Sequence, residues 1–160
     1  MPQFGMLVNP QTLLALATQT TTGTSANLTI MAPAAAYRFF VKLKTVSGTT
    51  PTLDVFLSTS YDATAAAGTD YVNFLHFAQM TTSGLGRQMS FRPYLSSGDV
   101  AIESQAAFFA TADGATGATA IAVNGPINNS AIKVRWVLSG TSPSFAFEIG
   151  VISVAQDLSD

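Results

Sequence analysis

His76 is the only histidine among 160 residues, so any imidazole chemistry must run through it. It sits in the apolar segment YVNFLHF, with Phe74 and Ala78 as its neighbours by strand alternation. A zinc centre needs several His, Cys or carboxylate ligands; here there is no Cys and no clustered His. A Ser-His-acid triad would have to use His76, and no GxSxG nucleophile elbow occurs. The segment therefore predicts a structural histidine bordering a strand face.

The acids offer two further chemistries. Asp54, Asp62 and Asp70 recur at eight-residue spacing, and Asp62 and Asp70 bracket a polar loop. Those two could share a calcium ion with loop carbonyls, although the EF-hand order of ligands is absent. Paired carboxylates could also serve glycoside hydrolysis, but that needs a cleft and a set separation. Gly84-Leu85-Gly86 lacks the lysine of a phosphate loop, and Gly114 and Gly117 lie in a polar loop with no helix pattern after them. All four glycines read as turn formers. The sequons Asn27-Leu28-Thr29 and Asn128-Asn129-Ser130 carry little weight without a secretory context. Tyr61, Tyr71 and Tyr94 could stack on a sugar if exposed. No cofactor, metal or catalytic residue is expected, and the chain is read as a non-enzyme.

Composition narrows the partners. Charged residues make up 10% of the chain, against about 25% in typical soluble domains. The surface must be covered largely by short neutral side chains, which lose little rotamer entropy on ordering. Seven basic residues, with no basic run, are few for gripping a phosphate backbone, so no nucleic acid is expected. No apolar stretch reaches the length of a membrane span, and the N-terminus lacks the pattern of a secretory leader. Without Cys, the redox compartment cannot be read.

The elements that must position these residues are strands. In Tyr37–Val46, Phe39, Val41 and Leu43 alternate with Arg38, Lys42 and Lys44, the period-2 mark of a half-buried strand. SGTTP, with Gly48 and Pro51, reads as a turn into Leu53, Val55 and Leu57. Ile132, Val134 and Trp136 alternate in the same way before SGTSP, with Gly140 and Pro143. Phe145, Phe147, Ile149 and Val151 then follow. Each pair reads as a hairpin with one apolar face, which a second layer must cover. Further strands are expected at 26–31, 71–77 and 87–95, and Gln11–Ala17 fits a helical turn or a short strand. The expected fold is an all-β, antiparallel β-sandwich, with a jelly roll as one form of it. Phe39, Val41, Leu43, Trp136, Phe145 and Phe147 form the expected core. Residues 1–25 read as an N-terminal arm and Thr-rich loop, 26–156 as the sandwich and 157–160 as a tail.

The two halves resemble each other. Ser139 of SGTSP follows Ser47 of SGTTP by 92 positions, while Ile132 follows Val41 by 91. The difference places one extra residue before the second turn. Shared turn physics or an internal duplication would each explain the likeness.

Lys133–Phe147 (KVRWVLSGTSPSFAF) resembles the C-terminal part of small structural proteins of tailed bacteriophages, and VSGTTPTLDVFLSTSYD resembles the partner segment in them. Some small β-rich proteins of that kind are capsid decoration, or cement, proteins. The resemblance implies a virion protein on the outer capsid surface, made in the host cytoplasm and bound to a major capsid protein or other virion proteins. The Ala- and Thr-rich stretch Asp62–Asp70 departs from the pattern. Alternatives are a major capsid jelly roll, a tail or fibre component, or a carbohydrate-binding module. The uncharged segment with Phe4, Met6, Leu7 and Val8 suggests an arm over a neighbouring subunit, and so a homo-oligomer such as a trimer.

Overall fold

Two strands of 25 residues each, β3 (Ala36–Ser60) and β7 (Ile132–Gln156), carry the architecture. A straight strand of that length would run about 80 Å, far more than a domain of this size is wide. Both must therefore bend, and they bend together. The computed structural model describes residues 6–30, 34, 36–60, 71–83, 86–91, 121–122, 127 and 130–156. Its other strands are β1 (Met6–Gln19), β2 (Gly23–Thr24), β4 (Tyr71–His76), β5 (Gly86–Phe91) and β6 (Ile121–Ala122).

The fold is all-β and antiparallel. β3 and β7 pair with each other from Ala36↔Val154 to Thr59↔Ile132. On one side of the bend, the layer runs β5, first half of β3, second half of β7, β1. On the other, it runs β6, β4, second half of β3, first half of β7, β2. Rings from the two layers meet in the space between them. Phe39 packs edge-on against Phe74 of β4 at 5.8 Å, and Trp136 against Phe147 at 6.1 Å. One hydrogen-bonded sheet thus closes on itself as a sandwich, with strands that switch layers at a corner.

Phe39, Val41, Leu43, Trp136, Phe145 and Phe147 are all buried in one cluster, together with Leu53, Val55 and Leu57. Trp136 keeps its polar end satisfied, since its indole N–H donates to the Thr21 carbonyl at 2.9 Å. Arg38, Lys42 and Lys44 are exposed, as alternation requires.

Two expectations are corrected. SGTTP and SGTSP do not close hairpins. Each lies inside a continuous strand, and the two blocks pair with one another. A Gly-Pro segment bends a strand as readily as it reverses one when a bulge absorbs the extra residue. Met6, Leu7 and Val8 do not lie on an arm leaving the domain: their backbones pair with Gln156, Ala155 and Val154 as the start of β1. Phe4 lies outside the described residues. Pro10 fits this long strand because β1 is the edge of the sheet among the described residues, where one side of the backbone needs no ladder donor. Gln11–Ala17 is strand throughout. The expected loop 18–25 instead holds the end of β1 and all of β2, while the strand expected at 26–31 contributes a single bridge, Leu28↔Ile132.

Candidate functional site

Two arrangements bring together residues that the sequence keeps apart. The first is the corner. From Ser47↔Ser144 to Thr49↔Thr141, β7 has one residue more than β3; from Thr49↔Thr141 to Thr52↔Ser139, the excess passes to β3. The two bulges exchange under a local twofold through the Thr49–Thr141 pair. The relation extends to Thr45↔Ala146 and Asp54↔Val137, then breaks at the bulge at Lys44.

Gly48 and Gly140 make the corner possible. Their φ angles are 115° and 109°, in the region that favours glycine. A Cβ on Gly48 would lie 2.7 Å from the Ser142 carbonyl oxygen, and one on Gly140 would lie 2.7 Å from that of Thr50. Beyond each glycine the opposite strand carries a residue in left-handed conformation, Thr50 at φ 48° and Ser142 at φ 49°. Pro51 and Pro143 sit beside these glycines across the ladder. Ser47–Thr50 and Gly140–Ser142 are exposed. The corner is thus neutral, rich in hydroxyls and exposed, with a backbone held from both strands.

The second arrangement lies on the outer face of the β4-side layer. Asp54, Phe56 and Ser58 are buried although they point away from the core side of β3. His76 Nε2 lies 3.1 Å from Asp54 Oδ1, and Gln79 donates to Asp54 Oδ2 at 2.8 Å. The carboxylate accepts from both, so Nε2 of His76 carries the hydrogen. The imidazole stacks on Phe56 at 4.2 Å and 11°, and the Arg135 guanidinium lies over the Phe56 ring at 5.7 Å. Ser58 donates to Asn73, and the Lys133 ammonium stands 4.0 Å over the Tyr71 ring.

This cluster is closed. The side chains of His76 and Asp54 are 2% and 3% exposed, so a substrate cannot reach them in this conformation. His76 Nδ1 is buried without a partner among the described residues. His76 is buried on β4 against Phe56, and its tie to Asp54 was not legible in the sequence. The only hint was Asp54 on the same strand face as Phe56 in LDVF. Asp62, Asp70, Tyr61, Tyr94, Gly114, Gly117, Asn128 and Asn129 lie outside the described residues. Tyr71, the third candidate sugar platform, is half-buried and bonds Asn27 through its hydroxyl. Among the described residues, no three His, Asp or Glu side chains are grouped to hold a metal ion, and no helix is long and apolar enough to cross a membrane.

No family model matches the chain, and no curated protein matches it. Among solved structures, the chain is similar to one from the infectious bursal disease virus Gx strain, with 15% identity and a TM-score of 0.39. The match covers 94% of this chain and 32% of that one, so this chain spans about a third of that protein's length.

Proposed function

We propose that this chain is a non-enzymatic structural protein of a virion, acting as a capsid decoration protein on the outside of the head shell and bound there to the major capsid protein. The observation that carries the reading is the meeting of SGTTP and SGTSP. The segments that resemble phage structural proteins are the ones that build the shared corner of β3 and β7. An exposed, neutral corner on a low-charge sandwich suits repeated protein contact, because ordering short side chains there costs little entropy. Burial of His76 and Asp54 supports the non-enzymatic part of the reading.

The test is to purify virions, identify the chain by mass, and place it by cryo-microscopy. A density outside the shell, present in stoichiometric copies, is the expected result. By far the highest copy number in the particle would make it the shell protein instead. A tail position would make it a tail or fibre part, and absence from particles would end the virion reading.

A further inference from the structure

We infer that the sandwich is a pair of equivalent units, residues 6–60 and 71–156, each incomplete without the other, and that a second copy of this chain can supply the missing unit. Taken half by half, β3 and β7 complete two four-stranded layers, β5–β3–β7–β1 and β4–β3–β7–β2, with the short β6 beside β4. Eight strands in two layers are the arrangement of a jelly roll, whose two Greek keys already have an approximate twofold. The likeness of the two units goes further than topology.

β1 and then β2 follow β7 from its end towards its start; β4 and then β5 follow β3 in the same way. The registers correspond position by position. Pro10↔Ile152, Thr12↔Gly150, Leu14↔Ile149 and Gln19↔Phe145 match Tyr71↔Ser60, Asn73↔Ser58, Leu75↔Leu57 and Met80↔Leu53. Each partner in 71–80 stands 61 positions after its β1 counterpart, as Tyr71 after Pro10. Each β3 partner stands 92 positions before its β7 counterpart, as Ser60 before Ile152, and 92 also separates SGTTP from SGTSP. The irregularity is shared as well. Leu13 is the extra residue between Thr12 and Leu14, Phe74 is the extra residue between Asn73 and Leu75, and both are buried in the core cluster. Common turn chemistry explains two similar corners, but it does not set a bulge at the same place on two other strands.

The units are interlocked. The ladders β1–β7, β2–β7, β3–β4, β3–β5 and β3–β7 all run from one unit to the other. Among the described residues, β1, β2 and β3 form no ladder with one another, so residues 6–60 alone would leave open strand edges and uncovered apolar faces. What covers them is on view: residues 71–156, whichever copy provides them. Ser60 and Tyr71 are paired, which puts their Cα atoms about 5 Å apart. The ten residues 61–70 join the two units there. A short link favours pairing within one chain through an effective concentration on the order of millimolar, without adding a contact. Where a chain's own unit is damaged or cut away, the same ladders form between copies, as in domain swapping. The inference stands apart from the virion reading, since it holds or fails on the purified chain alone.

The first test cuts the full chain at a protease recognition sequence set into residues 63–69. The cut chain should keep its far-ultraviolet circular dichroism, and its two pieces should sediment together. Its urea midpoint should rise with protein concentration more steeply than the parent's. Pieces parted in urea should each lack a cooperative melt and regain it on mixing. The second test leaves the chain whole. Leu43→Asp puts a charge into the core of the first unit, and Phe147→Asp into that of the second, at residues paired with each other. Each variant alone should lose the cooperative melt. Refolding the two together should restore it, with an intact 6–60 from one copy and an intact 71–156 from the other. A variant that keeps its fold alone leaves the decision to the cut chain. Pieces that separate in native buffer, a piece that melts cooperatively by itself, or a mixture no more folded than its two components would overturn the inference.

Discussion

Thr49 and Thr141 face each other across the β3–β7 ladder at the point where both strands pass from one layer of the sandwich into the other. On either side of the pair, a glycine of one strand lies against a left-handed Thr or Ser of the other. The corner therefore depends on four backbone conformations that support one another. Ordinary residues disfavour these conformations.

Gly48→Ala and Gly140→Ala should each lower stability by about 2–3 kcal/mol, from positive φ and from collision with a carbonyl across the ladder. The double variant should be clearly non-additive, since both act on one corner. Urea unfolding of all three gives the answer. Simple additivity would mean that the two glycines act independently.

Thr50→Asn should act in the opposite direction. Asparagine tolerates left-handed φ better than a β-branched residue does. At φ 48° the exchange should raise stability by about 0.5–1 kcal/mol. A fall in the denaturation midpoint would show that the Thr50 side chain makes a contact that outweighs the strain.

Trp136→Ala should cost about 3–5 kcal/mol. It removes a ring packed on Phe147 and leaves the Thr21 carbonyl without its indole donor. Trp136→Phe should recover part of this, because it restores packing but not the hydrogen bond. Unfolding followed by far-ultraviolet circular dichroism measures both, as the chain's one Trp is lost.

His76→Ala should cost about 3 kcal/mol, because it leaves Asp54 buried with Gln79 as its only described donor. Gln79→Ala should cost less, about 1–2 kcal/mol. A double-mutant cycle between Asp54 and His76 should return a coupling of about 1–3 kcal/mol. A coupling near zero would show that the pair is held by Phe56 stacking rather than by its hydrogen bond.

Gly150→Ala should cost about 1–2 kcal/mol by displacing the Phe40 ring. Adding Phe40→Leu should return most of it. A loss that persists in the double variant would place the strain in the backbone of β7 instead.

Alternation is a local property, and the sequence carried it in full. Phe39, Val41 and Leu43, like Phe145, Phe147 and Ile149, point to one face because successive Cβ atoms alternate. That determined the antiparallel all-β class and named most of the core. Tertiary structure decided what the strands pair with. SGTTP has the same Gly and Pro whether it reverses a strand or bends it, and only the continuation of the β3–β7 ladder through Thr49↔Thr141 makes it a corner. The same long-range pairing makes an edge strand of the uncharged N-terminal segment, because β7 offers it a free ladder of backbone donors and acceptors. His76 and Asp54 lie 22 residues apart, and nothing local links them; the register of β3 against β4 sets Phe56 opposite His76 and brings the carboxylate within reach. Side-chain direction follows from each residue's own backbone, whereas partners follow from hydrogen bonds between segments far apart in the chain.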